Sequence, residues 1–313
     1  MMDQGMDKQR LKGTLCALLC VSLWAVIPVV SKLGQTTLDH HQFLFWSSLF
    51  SFVMVAGLCF VTGSLKHLRN YSVKDWGQST VLGLLGTYLY FLLLYKGYAG
   101  GKGMEVLIVQ YTWPIFVALL SVVILRETLN GRKILSLLLG FAAIILILTK
   151  GQLQALSLND SSLLLWVMAG AICFALFSVF SKRIKLEANS LMLVFFGVAT
   201  LASFISMLVF SEFILPDSRS LLIVIISGVL VNGLSDVLWL WALRRTEASF
   251  LAPFIFLTPL LSTLYMLLIF SEQFLPVYGV SLVLIIFAGV INTCRPGSNE
   301  GGKTPPGSQL QKH

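Results

Sequence analysis

MEVLIVQYTWPIFVALLSVVIL, residues 104–125, decides the fold. The stretch holds one charged residue, Glu105, and a proline, Pro114, in an otherwise apolar run. About 20 such residues, at 1.5 Å of helical rise each, cross the roughly 30 Å of hydrocarbon in a bilayer. Backbone polar groups find no partner in lipid, so such a run must be a helix. Working outward, comparable runs fall near 12–34, 43–62, 78–98 and 133–150, then near 163–182, 190–210, 220–243, 249–270 and 276–294. Together they predict an all-α polytopic membrane protein with about ten transmembrane helices. Composition agrees: 57% of the 313 residues are hydrophobic and 12% are charged, against roughly 25% charged in soluble domains. With a mean hydropathy of +0.86, soluble, collagenous, coiled-coil and disulfide-framework classes are excluded.

The cations test the span count, because Lys and Arg gather in cytoplasmic connectors. Lys8, Arg10, Lys12, Lys66, Arg69, Lys74, Arg126, Arg132, Lys133, Lys182, Arg183, Lys185, Arg244, Arg245, Arg295, Lys303 and Lys312 all fall on one side of a ten-span arrangement. The other side holds Lys32, Lys96, Lys102, Lys150 and Arg219, a split of 17 to 5. The reading is an integral membrane protein with both termini cytoplasmic. The net charge of +8 is spread over every cytoplasmic connector instead of one face, so no nucleic-acid partner is expected. The first span lacks a small-x-small cleavage site and reads as a retained anchor.

Cys16, Cys20, Cys59, Cys173 and Cys294 lie within apolar spans with no CxxC pair, so no metal site and no disulfide is expected. His40, His41, His67 and His313 lie in connectors or the tail, and neither HExxH nor GxSxG occurs. No enzyme and no cofactor is expected. No P-loop is present, so energy for transport would come from a gradient. Residues 295–313, rich in Gly, Pro, Ser and Gln, read as a disordered cytoplasmic tail.

The halves of the chain resemble each other. Residues 23–32, LWAVIPVVSK, and 173–182, CFALFSVFSK, share Ala, Val, Ser and Lys at an offset of 150. Pro114, Leu119, Ile124 and Glu127 recur at an offset of 145 as Pro259, Leu264, Ile269 and Glu272. Five spans per half is an odd number, so the second half sits inverted relative to the first, a design that serves alternating access. The expected organisation is a cytoplasmic N-terminus over 1–11, repeats over 12–150 and 160–294, and the tail over 295–313.

Trp24 followed by Ser31 and Lys32, with Pro114 and Glu127 repeated as Pro259 and Glu272, resembles the EamA-type branch of the drug/metabolite transporter superfamily over about residues 12–294. Residues 103–114, GMEVLIVQYTWP, are similar to the fourth helix of bacterial aromatic amino acid and paraquat exporter members. The resemblance implies an inner-membrane carrier, acting as a monomer among membrane lipid, that exports a small-molecule substrate such as an amino acid, aromatic ones included. Cationic drugs, nucleosides and a lipid-flippase role within the superfamily are the alternatives; an intramembrane enzyme or a channel lacks its motif.

Candidate transport residues follow from what is costly in lipid. Asp236 is the only acid deep within a span, where a charge costs about 2.5–3.5 kcal/mol. Asn232, Asp236 and Trp239 share one helical face. Asp236 reads either as an ammonium or proton site or as a carboxylate satisfied in packing. Glu105 opens the fourth helix, where the dipole favours an anion even without ligand; a gating role is the alternative. Proton coupling would rest on these two acids. Pro28, Pro114, Pro253 and Pro259 break helix hydrogen bonding and mark walls that bend. Trp24, Tyr88, Gln110, Tyr111, Trp113, Trp239 and Phe256 complete the expected cavity, whose rings would stack a flat or cationic cargo. Glu127 and Glu272 read as structural caps or loop ion pairs, with Arg126 or Arg132 near the former, and a gating role is the alternative.

Overall fold

The computed structural model describes residues 2–34, 37–100, 103–152, 154, 161–270 and 275–293. The side chains of Pro28, Lys32 and Glu105, and the whole of Lys102, Glu272 and 295–313, lie outside the described residues. Among the described residues every regular element is helical. Among the described residues, seven helices are long and apolar enough to cross a membrane: His40–Thr62, Val73–Leu94, Val106–Leu125, Gly131–Leu148, Leu163–Arg183, Ala188–Phe210 and Ser218–Arg245. Ala248–Ser262 and Pro276–Asn292 are shorter apolar helices. Large apolar side chains such as Phe60, Val123, Leu201 and Leu268 are exposed on the outside of the bundle. In water such a surface would drive aggregation; facing lipid it is the stable arrangement.

The first expected span is two helices, α1 (Met2–Trp24) and α2 (Ile27–Gly34), parted at Ala25–Val26. Pro28 sits at the second position of α2, where a missing N–H is tolerated. The break exposes the Ala25 carbonyl, and the Ser262 hydroxyl donates to it at 2.9 Å. The carbonyl satisfied at this break is thus that of Ala25. Next come α3 (His40–Thr62), α4 (Val73–Gly83) and α5 (Tyr90–Gly100). The fourth span is likewise divided, into α6 (Gly103–Gln110) and α7 (Trp113–Leu125), with Pro114 opening α7. After α8 (Gly131–Leu148), the chain runs through α9 (Ser161–Arg183), α10 (Ala188–Phe210), α11 (Ser218–Ile226) and α12 (Ser235–Arg245). The ninth expected span is α13 (Ala248–Leu251), a tight 3-10 turn over Ala252–Phe256, and α14 (Leu257–Phe270). Pro253 lies in that turn and Pro259 opens α14. The last helix is α15 (Pro276–Thr293).

Irregularities recur in the two halves. A widened π-helical turn joins α4 to α5 at Leu84–Leu89, and another joins α11 to α12 at Ser227–Leu234. Gly83 and Gly228, 145 residues apart, each let a neighbouring backbone approach. A Cβ on Gly83 would lie 3.0 Å from the Cα of Phe195 on α10; one on Gly228 would lie 2.5 Å from the Ser47 carbonyl on α3. Hydroxyls stitch the same two contacts: Thr87 Oγ1 donates to the Phe195 carbonyl at 3.1 Å, and Ser51 Oγ to the Gly228 carbonyl at 2.8 Å. With few hydrophobic gains available inside lipid, close backbone packing and such hydrogen bonds are what hold helices together. In this way α3 packs on α10, α8 on α15, α1 on α12, and α5 and α7 on α9.

Candidate functional site

The breaks at 25–26 and 111–112 and the turn at 252–256 surround one cleft of about 400 Å³, open space at its mouth included. Trp24, Ile27, Tyr90, Phe91, Gln110, Tyr111, Trp113, Phe174, Asp236, Ile255 and Thr258 line it. Its wall is a ring cage. Trp24 and Trp113 meet edge to face with centroids 5.8 Å apart, and Phe174 stands 4.9 Å from Trp113 and 5.9 Å from Trp24. Edge-to-face contacts point electron-rich faces toward neighbouring positive edges, so the cage is both rigid and suited to a cation or a flat ring. Tyr90 lies 4.6 Å from Phe174, and its hydroxyl accepts from Gln110 Nε2 at 2.8 Å.

Of the residues expected from sequence, Trp24, Gln110, Tyr111, Trp113 and Asp236 border the cleft. Asp236 is 3% exposed. The Trp24 indole reaches its carboxylate, and Oδ2 has no hydrogen-bond partner. Trp239 stands behind the cage, against Trp24 and Trp113, with its indole N–H donated to Ser178 Oγ at 3.1 Å. Three of the expected residues do not line this cleft. Tyr88 is not at the cleft; the π-helical turn at Leu84–Leu89 carries an extra residue per turn, which brings Tyr90 round instead. Asn232, buried, lies inside the second π-helical turn and is displaced from the face that a regular helix would give it. Phe256 packs away from the cleft against Gly140 and Phe141, because the 3-10 turn directs Ile255 and Thr258 inward. Pro114, Pro253 and Pro259 are buried beside the cleft-lining segments.

Glu127 is both a cap and an ion-pair partner, and what sequence reasoning missed is which helices it ties together. The helix α7 ends with Arg126 in the left-handed conformation, φ 56°, which turns Glu127 inward. Its carboxylate receives Lys182 Nζ at 2.5 Å and the backbone N–H groups of Ala248 and Ser249 at 3.0 and 2.9 Å. The ion-pair partner is therefore Lys182 of α9, not Arg126 or Arg132. Burial pushes the Glu127 carboxyl up, but the Lys182 hydrogen bond, the Ser249 N–H, the Lys182 charge and the Ala248 N–H together bring it below its ordinary value. Beside it, buried Lys133 donates to Glu247 at 2.5 Å, to Ser249 Oγ at 2.9 Å and to the Thr128 carbonyl at 2.7 Å. Two cations that read as topology signals are thus structural ties. Among the described residues, no group of three or more His, Cys, Asp or Glu side chains could hold a metal ion.

The EamA-like transporter family matches the chain twice, over residues 11–149 and 161–294. The chain belongs to the EamA-like transporter family. A protein of Archaeoglobus fulgidus named as an uncharacterized transporter is 25% identical over 84% of this chain and 90% of its own length. The uncharacterized transporter YoaV of Bacillus subtilis is 26% identical over 66% of this chain and 70% of its own; YxxF of the same organism is 21% identical over 98% and 97%. A crystal structure of 18% identity superposes with a TM-score of 0.82, covering 90% of this chain and 96% of that one, a likeness of fold. The EamA-like chain is an integral membrane protein of a transporter family.

Proposed function

We propose that this EamA-like chain is a secondary transporter that exports small aromatic metabolites carrying an amine, by alternating access of a central cleft. Aromatic amino acids and aromatic amine cations are the two classes that share those features. One observation carries the reading: a ring-walled cleft holding a buried carboxyl group lies where the helices break. The Glu127 network ties α7, α9 and α13 together at one end of the bundle. The 17-to-5 distribution of Lys and Arg supports placing that end at the cytoplasm, with both termini, in the inner (plasma) membrane. The recurring π-helical turns and the paired Gly83 and Gly228 contacts support two inverted five-helix halves. Two such halves in one chain give a complete path, so the working unit is a monomer.

The test is counterflow into proteoliposomes of labelled aromatic amino acids and aromatic amines, with and without a pH gradient, beside the Trp113→Ala protein. Saturable counterflow of at least one class, lost in the variant, is expected. Folded protein that moves neither class would overturn the reading and turn attention to nucleosides or lipids. A gradient-dependent rate would add proton coupling, for which Asp236 is the described candidate.

A further inference from the structure

The cleft's polar groups are unequal to the task of holding an amino acid. Asp236 carries a carboxyl group that is 3% exposed and borders the cleft with Oδ2 unpartnered. Thr258, 4% exposed, borders the same cleft, and its hydroxyl is also unpartnered. A threonine in a membrane helix ordinarily returns its hydroxyl to a carbonyl one turn back; Thr258 does not. Native interiors rarely leave two such atoms idle in one place. An ionised carboxylate oxygen only accepts hydrogen bonds, so a charged donor beside Oδ2 both favours the ionised form and completes it.

Among the described residues that border the cleft, none is Lys, Arg or His. A ligand carboxylate there would find no cation to hold it, and beside an ionised Asp236 it would meet a like charge in a poorly screened space. An ammonium group would instead hold Asp236 in its ionised form and lie against the rings of Trp24 and Trp113, which attract cations. Quaternary nitrogen gains the ring faces but has no N–H to offer Oδ2.

We propose that the cleft selects an aromatic primary or secondary amine in its ammonium form, lacking a carboxylate, with the cationic nitrogen held by Asp236, Thr258 offering its hydroxyl, and the ring seated against Trp24, Trp113 and Phe174. This rests on the transport reading above and narrows it.

Three probes that differ by one group each separate the ideas: 2-phenylethylamine, phenylalanine and trimethyl(2-phenylethyl)ammonium. Binding to the purified protein in detergent is read from tryptophan fluorescence, and counterflow in proteoliposomes is corrected with protein-free vesicles. Phenylethylamine is expected to bind at least tenfold more tightly than either analogue, and Asp236→Asn to erase that preference. Thr258→Val is expected to weaken phenylethylamine several-fold and to leave the quaternary analogue unchanged. Thermal unfolding of each variant keeps loss of fold separate from loss of binding. Phenylalanine bound as well as phenylethylamine, or an unchanged preference in folded Asp236→Asn, overturns the amine selectivity while leaving the transporter reading intact. No binding or counterflow of any of the three by folded protein overturns both.

Discussion

Lys182 Nζ lies 2.5 Å from Glu127 Oε1, and the same carboxylate receives the first two N–H groups of α13. One side chain thus ties the end of α7 to the end of α9 and the start of α13. Both partners are shielded, with side-chain exposures of 8% for Glu127 and 19% for Lys182. Removing one member of a shielded pair strands the other, at a cost of about 3–5 kcal/mol. Lys182→Met is therefore expected to destabilise the protein by about 3 kcal/mol, the lower end because Lys182 keeps some contact with solvent. The double variant Lys182→Met, Glu127→Gln is expected to lose less than the two single losses added. Thermal unfolding of the four proteins in one detergent gives the cycle; strict additivity would show that the pair is not coupled.

The same contact sets a pH dependence. The Glu127 carboxyl ends below its ordinary value of 4.5, so the folded state holds the ionised form more tightly than the unfolded chain does. Such a group contributes stability that is fully present above the unfolded value and is lost as pH falls through the folded value. Stability from Glu127 is expected to be level from pH 7 down to about 5 and to decline below the ordinary glutamate range. Glu127→Gln removes that portion of the decline. Melting temperatures of both proteins at half-unit pH steps check it; parallel curves below pH 5 would contradict the assignment.

How much of the site was legible in the sequence follows from what a regular period can carry. Trp24, Gln110, Tyr111, Trp113 and Asp236 stood out because each accompanies a proline or is itself costly in lipid, and these features do not depend on helix register. Asn232 is read from a 3.6-residue period, Tyr88 and Phe256 only as rings within the spans, and the π-helical and 3-10 turns that hold them shift the register a regular helix would keep. The recurrence of Pro114 as Pro259 did mark the segments that break. Lys133 and Lys182 read as connector cations, yet both lie in helices, and their carboxylate partners come from residues 114 and 55 positions away, a proximity no local pattern encodes. Thr258 was invisible for the same reason: a lone threonine carries no signal until the turn before it is known.

Glycine positions separate packing from propensity. A Cβ on Gly228 would fall 2.5 Å from the Ser47 carbonyl and 2.6 Å from Phe50 Cβ, so α3 would have to move away. Gly228→Ala is expected to destabilise by about 1–3 kcal/mol. A Cβ on Gly57 would meet nothing within 4 Å. Gly57→Ala is expected to be neutral or to stabilise by about 0.4–1 kcal/mol, because alanine restricts the unfolded chain. Denaturation of the two variants side by side distinguishes the contacts; equal effects would mean that the α3 contact is looser than 2.5 Å implies.

Trp239 and Trp113 stand in one cage but on different sides of it. Trp113 borders the cleft, whereas Trp239, 1% exposed, supports Trp24 and Trp113 from behind and is anchored by its N–H to Ser178 Oγ. Ser178→Ala leaves a buried indole N–H without an acceptor, which costs about 1–3 kcal/mol. Trp239→Phe removes that donor while keeping an apolar ring in place, so the Phe protein should lose little more when Ser178→Ala is added. On the binding side, an aromatic probe should lose only a few-fold in affinity with Trp239→Phe, since the wall it touches is preserved. Trp113→Ala deletes the wall itself and should cost at least tenfold. Fluorescence titration of the two variants, with unfolding curves taken on the same samples, checks both halves of the argument. Equal affinity losses would move Trp239 to the cleft surface; an affinity unchanged by Trp113→Ala would remove the ring cage from substrate recognition.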